Sequence, residues 1–186
     1  MKEKETDFDR ILNARQKSLL EGLQRPLDIK DIDFRVQSVR NGKAIILAYK
    51  DARVDMNRLD EVVGPLNWKR EHNGAYCTVS IYDGDKKEWV SKQDIGTESM
   101  TEKDKGLASD SFKRACFNFG IGRELYDYPT ITVELNDYEK KQKQGKGNCY
   151  PNSWTWFTQF TGSELTYLAA KDKAGVKRFE WGTYKK

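Results

Sequence analysis

Lys113 and Arg114 stand side by side in GLASDSFKRACFNFGIG, residues 106–122. On a helix this pair shares a face with Lys103, Asp110 and Phe117, while Leu107, Ala108, Ser111, Phe112, Ala115, Cys116 and Phe119 fall on the opposite, apolar face. Two cations beside an aromatic ring are the equipment for holding a single-stranded polyanion: the cations release counterions from phosphates, and the ring stacks on a base. A solvated helix face has the same composition, with Phe117 packed under a neighbouring segment. Other cations add to the pattern. Arg35, Arg40, Lys43, Lys50 and Arg53 crowd residues 35–53 around Tyr49, and Lys86, Lys87 and Lys92 border a second β-rich stretch. Together these residues would edge a groove that follows a phosphate backbone.

The residues needed for covalent or metal chemistry are missing. His72 is the only histidine, no glycine-lysine phosphate loop occurs, and the sequence offers no cysteine–histidine or serine–histidine arrangement to propose. Carboxylate-lysine spacings of the kind used by metal-dependent nucleases occur at Asp85-Lys86-Lys87 and Glu139-Lys140-Lys141, but both fall in charged turns and read as coincidence. Cys77, Cys116 and Cys149 are far apart, without C-x-x-C spacing, so reduced thiols in a cytoplasm are expected. The reading is therefore a binding protein rather than an enzyme, with no cofactor or metal.

The chain that must position these side chains has 186 residues, 37% hydrophobic and 33% charged, with a net charge of +4. That suffices for one good-sized domain with an appendage. No apolar run approaches the ~18 residues of a membrane span, and the charged start MKEKETDFDR does not read as a leader.

The element pattern predicts an α+β fold. Phe8, Ile11, Leu12, Leu19 and Leu23 predict a helix over 8–23, stopped by Pro26. IDFRVQSV and KAIILAY, joined by Asn41-Gly42, predict a hairpin over about 32–50. VDMNRLDEVVG predicts a short helix closed by Gly64, and a strand follows near Trp68–His72. In AYCTVSIYDGDKKEWVSKQDIGT the alternation puts Tyr76, Thr78, Ser80 and Tyr82 on one face and Cys77, Val79 and Ile81 on the other, with a turn from Asp83-Gly84. A long helix over about 102–119 follows, with a capping box at Thr101 and Asp104. Beyond residue 129 come a strand in TITVEL, a basic linker KKQKQGKGN, the aromatic run SWTWFTQF, and a last hairpin turning at Ala174-Gly175. The expected division is a core at 1–129 and a β-rich extension at 130–186.

This order of elements resembles the single-strand annealing proteins of the Rad fifty-two superfamily, which includes phage Sak-type recombinases. The most specific match is Asp110, Lys113-Arg114-Ala115 and Phe119-Gly120. Looser matches are KDARVDMNRLDEVVGPLNW, with Arg53 and Trp68 in corresponding places, and QDIGT ahead of the long helix. The resemblance covers about residues 30–128. It implies hairpins packed on a long helix in a β-β-β-α core, and an oligomeric ring or filament of identical protomers. It assigns Lys113, Arg114 and Arg53 to single-stranded DNA and implies ATP-independent annealing in recombination and repair by a phage or bacterial protein. A phage exonuclease or single-strand-binding protein would be its partner.

Two other readings compete with this one. A double-stranded RNA-binding module also combines an antiparallel sheet with a basic helix, but it needs its cations at the start of the helix, whereas Lys113 and Arg114 lie past the middle. A structural phage protein would show no salt-sensitive nucleic-acid binding.

Overall fold

The computed structural model describes residues 7–97, 103–141 and 151–185. In chain order these form α1 (Asp7–Gln24), β1 (Asp33–Arg40), β2 (Lys43–Tyr49), α2 (Ala52–Val63), β3 (Trp68–Asn73), β4 (Tyr76–Asp83), β5 (Glu88–Ile95), α3 (Lys103–Phe117), β6 (Ile131–Glu134), α4 (Asp137–Lys140), β7 (Thr155–Thr161), β8 (Glu164–Lys171) and β9 (Lys177–Gly182). The fold is mixed α+β, as the patterning predicts, and the described strands form three antiparallel three-stranded sheets.

The chain packs as two units, one formed by Met1–Arg25 with Ala52–Gly122 and the other by Pro26–Asp51 with Arg123–Lys186. This differs from a linear division near residue 129. The first hairpin does not stand alone: β2 pairs antiparallel with β6, Lys43 opposite Glu134 and Ile46 opposite Ile131, and so draws residues 26–51 to the C-terminal part. A strand edge left open by a local hairpin accepts a distant strand, and no local pattern records which.

In the first unit the sheet runs β3-β4-β5. The inner face of β4 is as read, with Cys77, Val79 and Ile81 buried; of the outer face Tyr76 and Tyr82 are exposed, but Ser80 is buried, its hydroxyl 2.9 Å from that of Ser91. The inner face packs on α3, α3 on α2, and α2 on α1, around Leu23, Leu59, Phe112, Ala115, Cys116, Phe119 and Ile121. Buried Arg58 donates to the carbonyls of Gly22 and Arg25 at 3.1 and 2.6 Å, satisfying acceptors that the C-terminal end of α1 leaves unpaired. Ile11, expected on the buried face of α1, is 70% exposed. α3 ends at Phe117, two residues early. Asn118, Phe119 and Gly120 donate to the carbonyls three residues back, and Gly120 takes φ +99°. The capping box at Thr101 and Asp104 lies outside the described side chains.

In the second unit β1 and β2 turn at Asn41 and Gly42, with φ +50° and +75°, as a type I′ hairpin requires. A second sheet runs β7-β8-β9, one strand more than the expected last hairpin, because SWTWFTQF supplies β7. Phe34 of β1 stacks on Trp156 of β7, ring centroids 3.7 Å apart and planes 2° from parallel. Ile46, Ile131, Val133, Leu165, Leu168 and Ala170 are buried in this unit. Arg178 lies over the Trp154 ring at 4.6 Å and donates through both terminal nitrogens to Glu139, at 2.6 and 2.7 Å. The basic linker falls largely at 142–150, outside the described residues, as does Cys149. No helix among the described residues is long and apolar enough to cross a membrane.

Candidate nucleic-acid interface

The first unit fixes the Lys113–Arg114 face through a strap of residues at the end of β5. Asp94 accepts from Arg114 Nε at 3.2 Å, and Asn118 Nδ2 reaches the same carboxylate at 3.3 Å. Two residues later Gly96 passes under α3: a Cβ there would lie 2.5 Å from the Leu107 carbonyl oxygen and 2.7 Å from the Ser111 nitrogen. Next, Thr97 donates through its backbone N–H and its hydroxyl to Asp110, at 2.9 and 3.1 Å. The stretch QDIGT thus grips the helix at three successive levels, and Asp110 is spent on that grip rather than left on a free acidic face.

Lys113 has no ion-pair partner among the described residues and is partly exposed. The Arg114 side chain is 40% exposed and Asp94 24%. A pair this open to water contributes at most ~1 kcal/mol, so exchanging the carboxylate for a phosphate costs little. The pair uses Nε, which leaves the terminal guanidinium nitrogens for a bidentate phosphate contact. Lys92, two residues before Asp94 on β5, lies on the same strand face and is exposed. Phe117 is half-buried at the last position of α3.

The remaining expected positions are dispersed. Arg53 is exposed in the first turn of α2. Lys86 pairs with Asp83 at 3.5 Å and Lys87 holds φ +56°, both in the β4–β5 turn. Lys103 begins α3, its side chain outside the described set. Arg35, Lys43 and Lys50 belong to the second unit. There Arg35 lies over the Tyr49 ring at 5.2 Å and Lys43 pairs with Glu134 at 3.4 Å. Lys50 requires correction: in the link between β2 and α2 it is 2% exposed, so it offers no cation to a ligand.

The carboxylate-lysine spacings are structural. Asp85 accepts from Arg15 at 3.2 Å, and Glu139 is buried against Arg178. Among the described residues no three His, Cys, Asp or Glu groups gather as a metal site. Burial pushes the Cys77 thiol up to about 11, far from a nucleophile's range. Sequence reasoning missed the partnership of Asp94 with Arg114, although both lie in stretches singled out there. It also missed two cations of β3: Arg70, 4.8 Å over the Phe112 ring, and Lys69, 5.1 Å over that of Trp89.

Comparison with known proteins finds two relatives and one family model. The chain is 36% identical over 133 residues to the single-stranded DNA-binding protein DdrA of Deinococcus radiodurans, covering 65% of this chain and 61% of that protein. It is 36% identical over 112 residues to the protein of the same name from Deinococcus deserti, covering 53% and 51%. The chain thus spans between half and two thirds of the length of these relatives. No solved structure matches the chain with significance. Residues 72–144 match the model of the Rad52/22 family double-strand break repair proteins, a span that contains the β5 strap, α3 and the Lys113–Arg114 pair. Over residues 72–144 the chain is similar to the Rad52/22 family.

Proposed function

We propose that this protein binds single-stranded DNA and pairs complementary strands without ATP, in recombination and repair. The observation that carries the reading is the Lys113–Arg114 pair, held on an outward face of α3 by Asp94, Gly96 and Thr97. The names of the Deinococcus relatives support the ligand. Lys113 and Arg114 contact phosphates, with Lys92 beside them and Arg53 on α2 adding to the same backbone contact. Neutralised phosphates remove the repulsion between two polyanions, and the bases remain available for Watson–Crick pairing. Sequence information then comes from the strands alone, so binding is nearly indifferent to base sequence.

Presenting a strand longer than one protomer covers calls for several protomers, and a head-to-tail contact that closes gives a ring. A phage exonuclease or a single-strand-binding protein is the corresponding partner, in the cytoplasm of a phage-infected or bacterial cell. The test mixes two labelled complementary strands with the protein in the absence of nucleotide and metal. Pairing faster than the spontaneous rate is expected; binding of each strand without acceleration would reduce the role to protection.

A further inference from the structure

The β7-β8-β9 sheet buries Trp156, Leu168 and Ala170 on one face, and on the other leaves the Phe157 ring exposed beside the buried Ala169. On the inner side Trp156 lies opposite Ala170 and Ala170 opposite Phe179, with Leu168 two residues before Ala170 on β8, and Trp156 stacks on Phe34. On the outer side the register places Phe157 opposite Ala169, two residues from Tyr167 on β8. Diagonal neighbours of this kind lie about 7–8 Å apart. Tyr167 in turn meets Tyr184 edge to face, centroids 5.4 Å apart. Tyr184 is held in that place by its neighbour: Lys185 N–H donates to Gln159 Oε1 at 2.8 Å, and Gln159 Nε2 returns a bond to the Lys185 carbonyl at 2.6 Å. Phe157 is 44% and Tyr184 60% exposed, and folding normally hides such rings.

Charge gives this row of rings its occupant. The outer face carries Lys171 and Lys177 against one acid, Glu180, while Arg178 of the same segment is buried against Glu139 and is not part of this face. On the outer face Lys171 lies 5.9 Å over the Phe157 ring and makes no ion pair among the described residues. The acid Glu180 on this face is met by Lys177 and by the Tyr167 hydroxyl. An apolar protein partner would gain nothing from the excess cations, whereas a single strand uses both features: bases on the rings and phosphates beside the lysines.

We propose that the outer face of β7-β8-β9 is a second single-strand surface, which takes bases by stacking on Phe157, Tyr167 and Tyr184 while Lys171 contacts a phosphate. The proposal rests on the reading of the chain as a single-strand-binding protein but assigns a different surface and a different contact. α3 holds the backbone; this sheet holds bases.

The test titrates the full chain with fluorescein-labelled oligo(dT) and with an abasic oligomer of equal length, which keeps the phosphates and lacks the bases. Phe157→Ala with Tyr184→Ala is expected to bind oligo(dT) at least tenfold more weakly and the abasic strand as wild type does. Lys113→Ala with Arg114→Ala loses affinity for both. Equal affinity of the Phe157/Tyr184 variant and wild type for oligo(dT) overturns the proposal alone, as does an equal loss on both strands. A fall in sedimentation coefficient that accounts for the loss would make the face a contact between copies, and also overturns it. Wild-type protein that binds neither strand overturns the broader reading. Should the variant fail to fold, photocross-linking of wild type to 5-iodouracil-substituted oligo(dT) decides: adducts on Phe157, Tyr167 or Tyr184 are expected, and their absence from residues 155–185 is contrary.

Discussion

Gly96 and Leu107 approach so closely that a Cβ on the glycine would lie 2.5 Å from the leucine's carbonyl oxygen. The obstacle is helix backbone, which cannot swing aside as a long side chain would. Gly96→Ala therefore pushes β5 and α3 apart, and an overpacking cost of about 1–3 kcal/mol is expected. Urea titration followed by tryptophan fluorescence measures it, and an unchanged midpoint would show that the strap yields freely.

The Lys113→Ala, Arg114→Ala protein should keep its fold, since the ion pair it loses is open to solvent. Its affinity for oligo(dT) should fall, and the slope of log K against log salt should drop by about 0.7 for each phosphate contact removed. A folded double variant with wild-type affinity and slope would refute the backbone role.

Removing the opposing charge tests the same site from the other side. Asp94→Asn leaves a side chain of the same shape but cancels the carboxylate that Arg114 faces. Tighter binding of oligo(dT) by a few-fold, with a steeper salt slope, is the expected result of a titration at low ionic strength. Weaker binding would mean that Asp94 serves chiefly to aim the guanidinium.

In the second unit Arg178 and Glu139 form a pair with side chains only 10% and 7% exposed. Deleting one partner strands a buried charge, so Arg178→Ala should cost about 3–5 kcal/mol. Chemical denaturation provides the measurement, and a loss below 1 kcal/mol would show that water reaches Glu139 readily.

Cys77 supplies a pH dependence. Burial raises its thiol from 9.0 to about 11, so the folded protein retains a proton that the unfolded chain releases. The stabilisation is complete below pH 9 and is lost as pH rises toward 11. Denaturation midpoints at several alkaline pH values should fall across that window in wild type and less in Cys77→Ala; parallel slopes would contradict the assignment.

What could be read from the sequence followed the range of the forces involved. Asn41-Gly42 announced a hairpin because positive φ is a property of those two residues. The β4 alternation and the buried side of α3 were legible because their periods are local. Lys50 was misjudged because a lysine in a basic stretch carries no sign of its own burial. Pairing of β2 with β6, stacking of Phe34 on Trp156 and the Asp94–Arg114 bond join residues far apart in sequence, so no local period predicts them. In the site, the cation pair was visible and its support was not: QDIGT stood out as a motif, yet only the approach of Gly96 to α3 explains why a glycine belongs there.

The two units share one thread that crosses between them three times, at residues 25–26, 51–52 and 122–123. During synthesis, β1 and β2 emerge early but must wait for β6 before their open edge is covered, while α1 waits for α2. A protein cut near residue 129 would keep every residue of the β5 strap and α3 yet expose the β2 backbone as a template for sticking to other chains. A fragment that keeps the first unit whole thus joins residue 25 to residue 52 instead of ending near residue 129.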